Sequence, residues 1–136
     1  MDRIIRNFYI GDEEDSRNIE LLKEHNIKCI VNCTRSIPNY YPGIFWYFNL
    51  PLNDPDPLIE NYFGAILDQL ILMQDFPTLI HCKVGKSRSV TTLIYFLSKF
   101  LDLPWEYVLN KIKEVRSIAE PHNIFKNILN KNCRCS

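Results

Sequence analysis

The stretch Leu79-Ile80-His81-Cys82-Lys83-Val84-Gly85-Lys86-Ser87-Arg88-Ser89 constrains the fold more than any other part of the chain. It begins in an apolar run, Thr78-Leu79-Ile80, which reads as the end of a buried strand. It leads into Val90-Thr91-Thr92-Leu93-Ile94-Tyr95-Phe96-Leu97, a long apolar helical pattern. A strand-loop-helix gathers the loop's N–H groups at a helix N-terminus, where they can surround an anion. A cysteine inside that ring has its thiolate stabilised. Arg88, six residues after Cys82, is a planar fork of donors suited to phosphate oxygens. Nucleophile, cradle and clamp fall in one short loop, which is the equipment for phosphoryl transfer to sulfur. Gly85-Lys86-Ser87 imitates the end of a Walker A loop. That loop needs a glycine five residues before Gly85, where Ile80 stands, so a nucleotide-binding loop is excluded.

The remaining pattern alternates strands and helices. Phe8–Gly11 reads as a strand, followed by a helix opened by the acids and Ser16 of 12–17, with Ile19, Leu22 and Ile27 inward and Asn26 as a left-handed stop. Lys28–Cys33 is a second strand. After a proline- and tyrosine-containing loop over 36–43, Ile44, Trp46, Phe48 and Leu50 share one face of a third. Prolines 51, 55 and 57 predict an extended, exposed segment, and a helix then presents Leu58, Tyr62, Ile66, Leu70 and Met73. The helix after the loop runs to about Leu101. Two more follow, carrying Val108, Ile112 and Val115, and then Phe125, Ile128 and Leu129. The expected fold is α/β: one domain over residues 1–136, with a mixed, mostly parallel sheet of about five strands flanked by helices on both faces. The anion loop belongs at the carboxyl end of its strand.

Charge and composition narrow the function. Sixteen basic and sixteen acidic residues give no net attraction for nucleic acid or an anionic membrane, so attraction for a phosphorylated partner has to be local. Five cysteines, and a start at Met1-Asp2-Arg3-Ile4-Ile5-Arg6 too charged for a signal peptide, suit a reducing, cytoplasmic setting with nuclear access for so small a protein. The apolar stretch from about Val90 to Leu103 is too short to span a bilayer. No metal is implied. Cys133 and Cys135 are too sparse for zinc, and Cys29 and Cys33 lie within a strand.

His81-Cys82, five residues, then Arg88-Ser89 resembles the signature of the cysteine-dependent protein phosphatases, and the whole chain resembles a small dual-specificity phosphatase. The resemblance implies cofactor-free hydrolysis of phosphomonoesters through a phosphocysteine, with Cys82 as nucleophile and Arg88 closing the ring. Lys83, Val84, Gly85, Lys86, Ser87 and Arg88 would hold the phosphate. Ser89 would aim its hydroxyl at the thiolate and ease its departure in the second step, a plain helix cap being the alternative. His81 would support the cysteine by bonding loop carbonyls. The general acid would be Asp54, which occupies the family's place after a strand, with Asp56 as rival. The loop carrying Asp54 is slightly shorter than in many relatives.

By the same resemblance the substrates are proteins phosphorylated on tyrosine, serine or threonine. Lys83 and Lys86 resemble instead a pattern of phosphoinositide phosphatases, which makes inositol or lipid phosphates the alternative. A phospho-binding module without turnover would require loss of Cys82 or Arg88, and both are present. Tyr40, Tyr41, Lys83, Lys86 and residues 54–57 are the candidates for the cleft rim. Cys33 ends a strand expected beside the loop, where oxidation could join it to Cys82. Cys133-Arg134-Cys135-Ser136 is formally a prenylation box, with the wrong middle residues. Val115-Arg116 and residues 121–125 resemble the family's closing segment and are expected to be structural.

Overall fold

The computed structural model describes residues 1–136. Five strands form one sheet: β1 (Asp2–Ile5), β2 (Phe8–Gly11), β3 (Cys29–Asn32), β4 (Trp46–Asn49) and β5 (Thr78–His81). Their spatial order is β1-β2-β5-β3-β4; β1 runs antiparallel to β2, and every other pair is parallel. The central position goes to β5, whose four residues are all buried. An apolar run without alternation suits a strand covered on both faces.

Helices α1 (Glu13–Arg17) and α2 (Ile19–Glu24) lie on one face, over a small core of Leu22, Ile27, Ile30, Phe45 and Leu79. The other face carries α3 (Phe63–Met73), α4 (Arg88–Leu101), α5 (Trp105–Val115) and α6 (Asn123–Asn132) over the main core. Helix α4 is sandwiched between the sheet and the other three, so Ser89 through Ser98 are buried without a polar stripe. Its hydroxyls tolerate this because they bond the backbone: Thr91 Oγ1 donates to Ser87 O at 2.8 Å and Thr92 Oγ1 to Arg88 O at 2.9 Å. Phe63 stacks on Tyr95 at 3.7 Å between centroids, and Phe8 meets Phe96 edge-on at 5.6 Å. No helix is long and apolar enough to cross a membrane.

Several local expectations are corrected. The single helix over 12–24 is two, because Asn18 interrupts it and caps the second through Leu21 N, while Asp12 and Asp15 form a capping box on the first. Asn26 does stop the second in a left-handed conformation, φ 56°. Strand β1 was not anticipated. On β4, an edge strand, Trp46 is 47% exposed and Ile44 before it also faces solvent. Residues 57–62 form a 3-10 helix before α3; its tighter winding leaves Leu58 60% exposed and turns Ile59 and Phe63 inward. Val115 is exposed too. Cys133 is buried at the C-cap of α6.

Candidate active site

The loop between β5 and α4 is shaped from outside. Four successive carbonyls are each held by a group beyond the loop. Lys83 O accepts from Glu13 N at 3.0 Å and Lys86 O from Glu120 N at 2.9 Å. Between them, Arg116 donates Nη2 to Val84 O at 3.0 Å and Nε to Gly85 O at 2.7 Å. In a planar trans peptide the C=O and the following N–H point opposite ways. Drawing four carbonyls outward therefore turns the N–H groups of Val84, Gly85, Lys86 and Ser87 inward. Gly85 takes φ +74°, and a Cβ there would lie 2.5 Å from Arg116 Nη2 and 2.6 Å from Gly11 O. Only glycine fits this approach.

Cys82, the first residue past β5, is 3% exposed. Its Sγ lies 3.2 Å from Ser89 Oγ and accepts from Gly85 N at 3.3 Å. Burial alone would raise its pKa. Hydrogen bonds from the Ser89 hydroxyl and from the N–H groups of Ser89, Gly85 and Lys86 outweigh burial, and the thiol is more acidic than usual. Ser89 sits inside the first turn of α4, so its hydroxyl serves the sulfur and caps nothing; Ser87 is the N-cap residue. The Ser87 hydroxyl accepts from His122 N at 3.0 Å, which ties the start of α4 to the segment before α6. His81 is buried, with Nδ1 donating to Cys82 O at 3.3 Å, and burial keeps its ring neutral.

Arg88 closes the ring. Its Nη1 donates to Leu52 O at 3.0 Å, and its Nε is buried with no protein partner. A buried guanidinium N–H without an acceptor fits an anion held by this group. The contact with Leu52 also ties the preceding wall of the cleft to the loop. Residues 51–57 are not wholly exposed as expected: Leu52 and Asp56 are buried. Asp56 uses both carboxylate oxygens, Oδ1 accepting from Leu58 N at 3.0 Å and Oδ2 from Asn53 N at 3.1 Å. Asp54 is exposed and lines an open cleft of about 310 Å³ with Lys86, Ser87, Glu120, Pro121, His122 and Asn123. Asp56 is occupied as a cap, whereas Asp54 opens onto the cleft.

Lys83 and Lys86 are both exposed, and of the two Lys86 lines the cleft. Tyr40 is tied to α1 through Glu13 Oε2 at 3.0 Å, and the Tyr41 hydroxyl donates to the Arg17 carbonyl. Glu120 is paired with Lys113 at 2.7 Å and Lys126 at 2.5 Å; hydrogen bonds from Lys113 and then Lys126 depress its carboxyl to about 2. Cys33 N bonds His81 O at 2.9 Å, which sets Cys33 beside Cys82 across neighbouring strands. Burial first, then the neighbouring Cys82 charge, keeps Cys33 a neutral thiol, donating to Thr92 Oγ1 at 3.6 Å.

The model of the dual specificity phosphatase catalytic domain matches residues 8–134. The chain belongs to that family. It is 30% identical over 130 residues to protein phosphatase Slingshot of Drosophila melanogaster, covering 93% of this chain and 12% of that one. It is 33% identical over 123 residues to dual specificity protein phosphatase 14 of Homo sapiens, covering 88% and 62%. The chain thus spans less than two thirds of either relative. The crystal structure of DUSP15 superposes with a TM-score of 0.85 at 25% identity, over 95% of this chain and 84% of that one. Human DUSP28 gives 0.84 at 21%, over 97% and 94%, a likeness of fold.

In this dual-specificity-phosphatase domain the fold sets Cys82 against Ser89 and the Gly85 N–H, on the loop that Arg88 ends, and Asp54 shares a cleft with Lys86 and Ser87 of that loop. Sequence reasoning missed the outer supports Glu13 and Glu120, and gave Arg116 a structural place without its contacts to the loop. Their main-chain or guanidinium groups act across the fold, and no spacing in the chain marks them.

Proposed function

We propose that this chain is a cysteine-dependent phosphatase acting on phosphotyrosine, phosphoserine and phosphothreonine in proteins. The observation that carries the reading is the acidified Cys82 sulfur, ringed by N–H donors, beside the partnerless Nε of Arg88. The substrate phosphoryl group rests on the inward N–H groups and Arg88, opposite its leaving oxygen. Sulfur forms a bond to phosphorus as the P–O bond breaks, and Asp54 gives its proton to the departing alkoxide or phenolate. Charge on the equatorial oxygens meets dipoles that are already oriented. Water then attacks the phosphocysteine while Asp54 takes a proton, and Ser89 donates to the departing thiolate. Because the sulfur must stay reduced, a cytoplasmic setting suits it, in keeping with five unpaired cysteines.

A second reading, inositol or lipid phosphates, is favoured by one feature: Lys86 lines a cleft whose other residues, Pro121 apart, are polar or charged, and Lys83 stands on the same loop. Purified protein assayed on phosphotyrosine and phosphothreonine peptides and on phosphoinositides separates the two. The expected result is faster peptide hydrolysis, abolished by Cys82→Ser. Far faster phosphoinositide hydrolysis would reverse the choice. No turnover of any phosphomonoester would remove both.

A further inference from the structure

Arg116 ends α5, outside the residues that line the cleft, and is only 8% exposed. Its three donor groups are all used: Nε on Gly85 O, Nη2 on Val84 O, and Nη1 on Asp2 Oδ2 at 2.8 Å. The two carbonyls it grips belong to the peptide units that supply the N–H groups of Gly85 and Lys86. The Gly85 N–H bonds the Cys82 sulfur at 3.3 Å, and the Lys86 N–H adds to the stabilisation of its thiolate. Arginine's planar fork can serve two carbonyls and a carboxylate at once, which a lysine ammonium on its single stem cannot. Asp2 is held in register by β1, where it pairs with Ile10 next to Gly11, the residue whose carbonyl Gly85 packs against.

We propose that Arg116, braced by Asp2, is a positioning residue for the reaction: by fixing two peptide planes of the loop it aims the N–H donors that face the Cys82 sulfur and the substrate phosphate. Its kinetic consequences rest on the phosphatase reading above; its effect on the thiol does not. Strand β1 thereby belongs to the working site although none of its residues lines the cleft.

Charge and positioning predict opposite signs. Removing the Asp2 charge would, by Coulomb interaction alone, ease ionisation of Cys82. Loosening the brace would hinder it. Likewise Arg116→Lys keeps the positive charge and loses the paired geometry. The test measures Cys82 alkylation by iodoacetamide against pH, by mass spectrometry, for the wild type, Arg116→Lys and Asp2→Asn. It is run beside kcat and KM for p-nitrophenyl phosphate and thermal melts of each protein.

In Arg116→Lys the alkylation midpoint should rise by about one pH unit, a tenfold loss of thiolate at fixed pH. A smaller rise is expected in Asp2→Asn. The acid limb of kcat/KM should move by the same amount, KM should increase several-fold, and kcat should recover at higher pH. A folded Arg116→Lys protein with an unmoved midpoint overturns the proposal, as does a downward shift in Asp2→Asn. Lower activity at an unchanged midpoint and KM would mark a merely structural role and also overturns it. Should Arg116→Lys fail to fold, Asp2→Asn decides by the sign of its shift. A wild type that turns over nothing, with the midpoint shifts intact, would remove the phosphatase reading and leave the positioning role standing.

Discussion

Every carbonyl from Lys83 to Lys86 is fastened to a group outside the loop, whereas the opposite wall, residues 51–57, is held through Leu52 on Arg88 and through the two oxygens of Asp56. The contrast follows what each side must do. The donors around Cys82 have to be aimed before substrate arrives, since reorienting dipoles during the reaction would add to the barrier. Asp54 has to reach leaving groups of different size, so an exposed acid on a lightly fastened segment suits it. One side is fixed and one is adaptable, and substitutions on the two should fail in different ways.

The largest expected effects set the nucleophile against the acid. Cys82→Ser should lower kcat by about 10,000-fold or more on every phosphomonoester. Asp54→Asn should lower it by about 100- to 10,000-fold on phosphoserine and phosphothreonine peptides, flattening the basic limb of the pH profile. With p-nitrophenyl phosphate, whose leaving group needs little protonation, that loss should shrink. An equal loss on both substrates would show that Asp54 is not the acid. Next in size is Gly85→Ala, which sets a Cβ against Arg116 and Gly11 in a left-handed conformation. A destabilisation of about 1–3 kcal/mol by chemical denaturation, with most activity gone, is expected; a neutral outcome would mean the loop gives way more than four external ties allow.

A smaller effect belongs to Ser89→Ala. Removing the hydroxyl takes away one of the bonds that favour the thiolate, so the Cys82 pKa should rise and alkylation at fixed pH should slow. Rapid-quench kinetics should show phosphoenzyme accumulating as the second step lags; no burst and no pH shift would deny Ser89 both roles. Smallest should be Asp56→Ala, costing about 1–2 kcal/mol of stability through the lost cap and a few-fold in kcat through a loosened wall. A loss in kcat matching that of Asp54→Asn would erase the distinction between the two aspartates.

Much of this arrangement was legible in the chain because its chemistry is local. Cys82, Gly85, Arg88 and Ser89 lie within one loop and one helical turn, and Asn26 announced its own left-handed stop. The preference for Asp54 over Asp56 came from position alone; that the Asp56 carboxylate is already spent on Asn53 and Leu58 emerged only in three dimensions. Leu58 was misjudged because a 3-10 helix repeats every three residues, which shifts the phase of the apolar stripe. Trp46 and Ile44 were misjudged because an edge position leaves apolar side chains uncovered whatever their alternation. Strand β1 is four residues with two charges, too brief for a periodic signal. The outer supports of the loop were invisible because main-chain N–H groups at Glu13 and Glu120 carry no sequence identity.

The bond between Arg116 and Asp2 joins residues 114 positions apart. The loop around Cys82 is therefore tied to both ends of the fold at once. Local fraying of β1, far along the chain from the cleft, would reach that loop through the guanidinium of Arg116.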